Sequence, residues 1–115
     1  MSNYVIGFLR PDVSGEASGQ DEARIHALAA ECGWSVILMY YGDRDRPGGA
    51  VINRLMNLAY SERANAVIVP SADHFEPGDI PALVKIVDVI CVDTGTRYAN
   101  SRKDGQDQIC LVNWR

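Results

Sequence analysis

The sequence predicts an α/β fold: one three-layer α/β/α domain over residues 1–115, built on a mostly parallel five-stranded sheet. Three observations predict it. Short uninterrupted apolar runs, the pattern of strands covered on both faces, alternate with segments that are apolar on one side at helical spacing. A chain of 115 residues holds one core and is too short for two domains. Hydrophobic residues make up 47% and charged residues 23%, the usage of a globular domain rather than a disordered segment.

Tyr4-Val5-Ile6-Gly7-Phe8-Leu9 is the first apolar run and the first strand. A polar loop, Arg10–Gly19, leads to a helix that begins at Ser18 or Gly19. Asp21 and Glu22 stand in its first turn, where the helix dipole favours acids. Ile25, Leu28, Ala29 and Cys32 recur at i, i+3, i+4 and i+7, and Gly33 ends the run. Trp34–Tyr41 is the second strand, followed by a charged loop, Gly42–Gly49. Val51, Ile52, Leu55, Met56, Leu58 and Ala59 form the stripe of a second helix, and Ala66–Val69 a third strand stopped by Pro70. Asp79-Ile80-Pro81 opens a short third helix, since a proline in the first turn forfeits no hydrogen bond. Val87–Val92 is the fourth strand. Gln108–Trp114 reads as a fifth, turned back antiparallel at an edge by the polar stretch Tyr98–Asp107. With Tyr98 and Trp114, that last strand either caps the sheet or extends it across a two-fold axis.

Charge and cysteines bound the function. Eleven basic against fifteen acidic residues give a formal net charge of −4, which disfavours non-specific DNA binding by the chain alone. Met1–Arg10 has no basic leader and no cleavage signature, and no apolar run reaches membrane-spanning length. The three cysteines, Cys32, Cys91 and Cys110, all sit in apolar segments without ligand spacing. Buried free thiols in a cytoplasmic protein, with no metal and no cofactor, are the expectation.

Ligands of open α/β sheets gather beyond the carboxyl ends of the strands. The loops there, Arg10–Gly19, Gly42–Gly49, Pro70–Gly78 and Asp93–Asp104, hold Arg10, Asp12, Ser14, Ser18, Arg44, Arg46, Asp73, His74, Glu76, Asp93 and Arg97. Ser14-Gly15-Glu16-Ala17-Ser18-Gly19 lacks the glycines of a dinucleotide fingerprint, and no P-loop pattern occurs. Asp12 and Asp73 imitate part of a phospho-receiver site, but its lysine is missing and Arg10 interrupts its acidic pair. His26, next to Ile25 on the first helix, is expected at the boundary between its buried and exposed faces. His74 is expected to be a surface-loop histidine rather than the centre of a Ser-His-Asp triad with Ser14. One constellation remains, Arg10, Ser14 and Arg46: a hydroxyl between two permanently charged forks suits a phosphate or phosphodiester. Pairing of Arg10 with Asp12, and of Arg46 with Asp45, is the competing use of the same residues.

At these residues the chain resembles the catalytic domain of the serine recombinases, the resolvase/invertase family. Gly7-Phe8-Leu9-Arg10, then Val13-Ser14, then Gln20 and the helix to Cys32 are similar to the family's opening strand, turn and helix. Asp45-Arg46-Pro47 before Leu55-Met56 and Leu58 resembles its second arginine, and Val67–Pro77 its third strand and loop. The likeness runs from about Tyr4 to Asp93. It implies a resolvase-like fold, with Ser14 as the nucleophile that joins DNA through a phosphoserine. Arg10 and Arg46 would be the catalytic cations, and Arg44 and Arg97 would join them in anion binding.

The chain departs from that pattern where the chemistry lies. Pro11 and Asp12 separate Arg10 from Val13-Ser14, so that Ser14 or Asp12 takes the nucleophile's place. His74 and Pro77 stand where the family has arginines, with Glu76 between them, and Gln108–Trp114 replaces its long following helix. The resulting expectation is a recombinase-like domain that has lost DNA cleavage and acts as a binding, regulatory or self-associating module. Two alternatives stand beside it. One is an active recombinase using Ser14, with arginines supplied by Arg44, Arg97 or a partner subunit. The other is a flavodoxin-like domain that binds a nucleotide or flavin. A homodimer is the expected partner relation, DNA is implied by the resemblance alone, and no membrane is involved.

Overall fold

The computed structural model describes residues 4–42, 48–76 and 78–99, with backbone alone for 48–50. In chain order the elements are β1 (Tyr4–Leu9), α1 (Pro11–Ser14), a 3-10 turn (Gly15–Ala17), α2 (Ser18–Glu31), β2 (Ser35–Tyr41) and α3 (Gly48–Ser61). After them come β3 (Ala66–Val69), a 3-10 turn (Ala72–His74), α4 (Asp79–Leu83), β4 (Asp88–Cys91) and β5 (Thr96–Tyr98). The sheet has five strands in the order β2-β1-β3-β4-β5. The first three pairings are parallel and β4–β5 is antiparallel.

The uninterrupted apolar runs are two interleaved sets, because successive side chains of a strand point to opposite faces. Ile6, Phe8, Val67, Val69, Val89 and Cys91 face Val51, Ile52, Leu55 and Ala59 of α3 and Leu83 of α4. Val5, Ala66, Ile68 and Ile90 face Ile25, Leu28 and Ala29 of α2. The sheet therefore lies between two helical layers. Gly7 fits this packing for lack of a side chain: a Cβ there would run into Met39 Sδ and lie 3.1 Å from Ile25 Cγ2.

Three expectations change. The stretch after β1 is not a plain loop: Arg10 stands at the N-cap, Pro11 opens α1, and the Arg10 carbonyl accepts from Val13 and Ser14 N–H at 2.9 and 3.0 Å. The antiparallel edge strand is Thr96–Tyr98, whereas the Gln108–Trp114 segment expected in that role lies outside the described residues. Cys91 is a buried free thiol, pushed up to about 11 chiefly by that burial, but Cys32 is disulfide-bonded. Cys110 lies outside the described residues.

Candidate functional site

β1 and β3 are neighbours in the sheet, so the segments leaving their carboxyl ends, Arg10–Ala17 and Pro70–His74, meet above it. Phe75 fixes the second segment: its ring stacks on Phe8 of β1 with centroids 5.2 Å apart and planes 10° from parallel. Phe8 also touches Tyr40 at the end of β2, at 5.9 Å. At Gly42 the chain passes close beneath Arg10. A Cβ there would lie 2.8 Å from Arg10 Cγ and 3.2 Å from Phe8 Cε1, so only glycine leaves room for the arginine stem. Gly15 makes the sharp turn from α1 with φ +58°, a conformation that side chains rarely adopt.

His74, expected on the surface, is 3% exposed. Its burial follows from Phe75, which draws the short turn down onto the core. The backbone N–H of Arg10 donates to His74 Nδ1 at 2.9 Å. A backbone N–H can only donate, so Nδ1 holds a lone pair and the proton of the neutral ring is on Nε2. Nε2 lies 3.4 Å from Ser14 Oγ. The Ser14 hydroxyl in turn donates to Asp21 Oδ2 at 2.6 Å. Every donor in this relay points one way, from Arg10 N–H to His74, then Ser14, then Asp21. Burial holds the His74 pKa below its ordinary value of 6.5, against the pull of the Asp21 charge, and the nearby Arg10 guanidinium lowers it further.

The polarity is opposite to that of a Ser-His-Asp triad, in which the imidazole takes the serine's proton. Here Nε2 is already protonated, and the group that receives the Ser14 proton in its hydrogen bond is Asp21. Arg10 is diverted as well: its Nη2 and Nε donate to the two oxygens of Asp12 at 2.9 and 3.3 Å. The pair is only partly exposed, with about a fifth of each side chain accessible.

Of the residues assigned to anion binding, the structure brings Arg10 and Ser14 to one place but turns them to carboxylates. Arg97 is elsewhere. It lies on β5, and its guanidinium reaches Asp88, which opens β4 at the opposite, amino-terminal end of the sheet. Arg44 and Arg46 lie outside the described residues. His26 is half-exposed on α2, 3.7 Å from Glu22. Beside the His74 turn lies an open hollow of about 270 Å³, lined by Ala72, Phe75, Glu76, Gly78, Ile80 and Pro81. It is smaller than most ligand pockets, and its one charged wall residue is an acid. Among the described residues no cluster of His, Cys, Asp and Glu could hold a metal ion, and no helix is long and apolar enough to cross a membrane.

Sequence reasoning missed Asp21 as a member of the site and misplaced His74. Asp21 sits at the start of α2, where an acid needs no function, and Ser14 belongs to the separate helix α1, so no repeat within one element joins the two. The hint for His74 was Phe75: an aromatic residue after a buried strand pulls its neighbours inward.

No family model matches the sequence, and no curated protein matches it. Among solved structures the chain is similar to a resolvase family site-specific recombinase from Streptococcus pneumoniae, with a TM-score of 0.67 and 17% identity. The match covers 94% of this chain and 80% of that one. The two share a fold. That agrees with the resolvase-like architecture expected from the sequence.

Proposed function

We propose that this chain is a non-catalytic domain with the resolvase fold, a binding or regulatory module that does not cut DNA. The bidentate pairing of Arg10 with Asp12 carries the reading. Transfer of a phosphodiester needs fixed positive charge aimed at the oxygens of the reacting phosphate, and that is commonly the largest catalytic contribution. At this site the arginine is occupied by an acid that stands two residues after it, and Asp21 takes the serine hydroxyl. His74, in the loop where a recombinase would present arginines, is buried and held neutral. Among the described residues an incoming phosphate would meet Asp12 and Asp21, with Arg10 and Arg24 already turned to them.

The net charge of −4 argues in the same direction against DNA as a partner of the isolated chain. Self-association is the partner relation that goes with this reading, and sedimentation at micromolar concentration measures it. The decisive experiment incubates the purified protein with supercoiled plasmid, traps covalent protein–DNA adducts under denaturing conditions, and repeats the assay with Ser14→Ala. The expected result is neither nicking nor adduct with either protein. Adducts formed by the wild type and lost in Ser14→Ala would overturn the proposal.

A further inference from the structure

The bond from the Arg10 N–H to His74 Nδ1 ties the segment after β1 to the 3-10 turn after β3. The ring is buried, so solvent has little access to either partner. A protonated imidazole carries a hydrogen on both nitrogens. Its Nδ1–H would point at the Arg10 N–H, donor against donor, and the 2.9 Å contact could not survive. Arg10 is also the N-cap of α1, and its carbonyl holds the Val13 and Ser14 N–H groups, so whatever moves Arg10 moves α1. No residue of α1 or of the Gly15–Ala17 turn is buried, which leaves the segment little packing of its own. The bond from Ser14 to Asp21 joins it only to α2, the next element of the chain.

We propose that His74 is a proton-operated latch: its neutral ring seats the Arg10–Ala17 segment over the strand ends, and its protonation in mild acid releases that segment while the sheet stays folded. The released segment carries Ser14 and the Arg10–Asp12 pair with it, so acid opens the site that the neutral ring keeps closed. The latch stands whether or not the chain cuts DNA, because it concerns the position of the segment and no chemical step.

Among the described residues, charges face the ring from each element around it. Burial opposes the imidazolium most, and the Arg10 guanidinium opposes it too; Asp21 of α2, Asp73 of its own turn and Asp12 of α1 favour it. Asp79 of α4, whose carboxyl burial pushes above its usual range, faces Arg10. Opening relieves the largest of these effects, since the ring lies against the Arg10 N–H and Ser14 Oγ that depart. A ring so uncovered binds a proton more tightly than the seated ring. By linkage the proton favours the open form, and the balance shifts below 6.5, where the released ring is charged before the seated one.

Nuclear magnetic resonance on the full chain tests this between about pH 7.5 and about pH 4.5. Long-range proton–nitrogen spectra read the tautomer and protonation of the ring. Amide order parameters over residues 12–17 read the segment, and those of β4 read the sheet. The expected result is a ring protonated on Nε2 alone at the higher pH. As it gains its second proton, order parameters of the segment should fall from about 0.85 to below about 0.6, with β4 unchanged. His74→Gln, whose amide oxygen accepts a hydrogen bond but does not titrate, should keep the segment ordered throughout. His74→Asn takes its place if β4 of the Gln variant is not ordered as in the wild type. A ring still neutral at about pH 4.5, or a segment already mobile at about pH 7.5, would overturn the proposal. So would a segment that stays ordered while the ring titrates, or a β4 that loosens with it. Equal loosening in the variant would also overturn it, since Asp12, Asp21, Asp73 or Asp79 would then be the titrating group.

Discussion

Two arginine–aspartate pairs sit at opposite ends of the same sheet, and they differ in almost everything but their chemistry. Arg10–Asp12 lies at the carboxyl ends of the strands, between residues two apart, with about a fifth of each side chain exposed. Arg97–Asp88 lies at the amino-terminal end, between antiparallel neighbours, with Asp88 wholly buried and Arg97 9% exposed. Water screens the first pair, so it contributes little to stability and much to the character of the site, because it occupies the Arg10 guanidinium. The second is out of water, and each partner depends on the other for compensation. The place of an arginine in the fold, rather than its presence, decides whether it supports the structure or confronts a ligand.

The largest expected effect comes from breaking the buried pair. Arg97→Leu leaves the Asp88 carboxylate in the core without its cation and is expected to cost about 3–5 kcal/mol in urea unfolding. Arg97→Leu combined with Asp88→Leu should recover most of that loss. A double variant as unstable as the single one would show that the pair is not what holds β5 to β4.

At the other end, His74→Ala orphans the Arg10 N–H and removes a partner of Ser14, for an expected loss of about 1–3 kcal/mol. The same histidine gives the fold a pH dependence. Its folded pKa lies below 6.5, so as pH falls the unfolded chain takes up the proton first. The stability due to the neutral ring is complete above 6.5 and is lost as pH falls below that value towards the folded pKa. Melting curves at about pH 7.5 and about pH 5.5 should therefore diverge more for the wild type than for His74→Gln. Equal divergence would remove His74 from the account.

Asp12→Ala should change stability by no more than about 1 kcal/mol, yet it frees the Arg10 guanidinium. Titration with inorganic phosphate, followed at the Arg10 Nε resonance, should show binding in this variant and none in the wild type. The smallest expected effect is at Cys91. With its thiol raised to about 11, it should resist alkylation at about pH 8 in the folded protein and react only on unfolding.

Much of the fold is legible in the residue pattern. Tyr4–Leu9, Ala66–Val69 and the stripes through Ile25 and Leu55 each state their element in their own spacing, and each forms where it was expected. The site is half legible. Arg10 and Ser14 stand out by residue type, and the pairing of Arg10 with Asp12 is the competing reading of the same residues. Asp21 and His74 do not stand out, because both reach Ser14 through space from elements that carry no mark of each other.

By itself the sequence determined the order of strands and helices, the mostly parallel sheet that such alternation requires, and a formal net charge of −4. Hydrophobic spacing is local, and a single chain states it in full. Only the tertiary structure decided that β1 and β3 would lie side by side, and so that His74 would be buried against the Arg10 backbone and beside Ser14. It also decided that Arg97 would turn away from the strand ends to Asp88. A charged side chain takes whichever partner the packed backbone brings within about 3 Å, and no residue spacing along the chain reveals that distance.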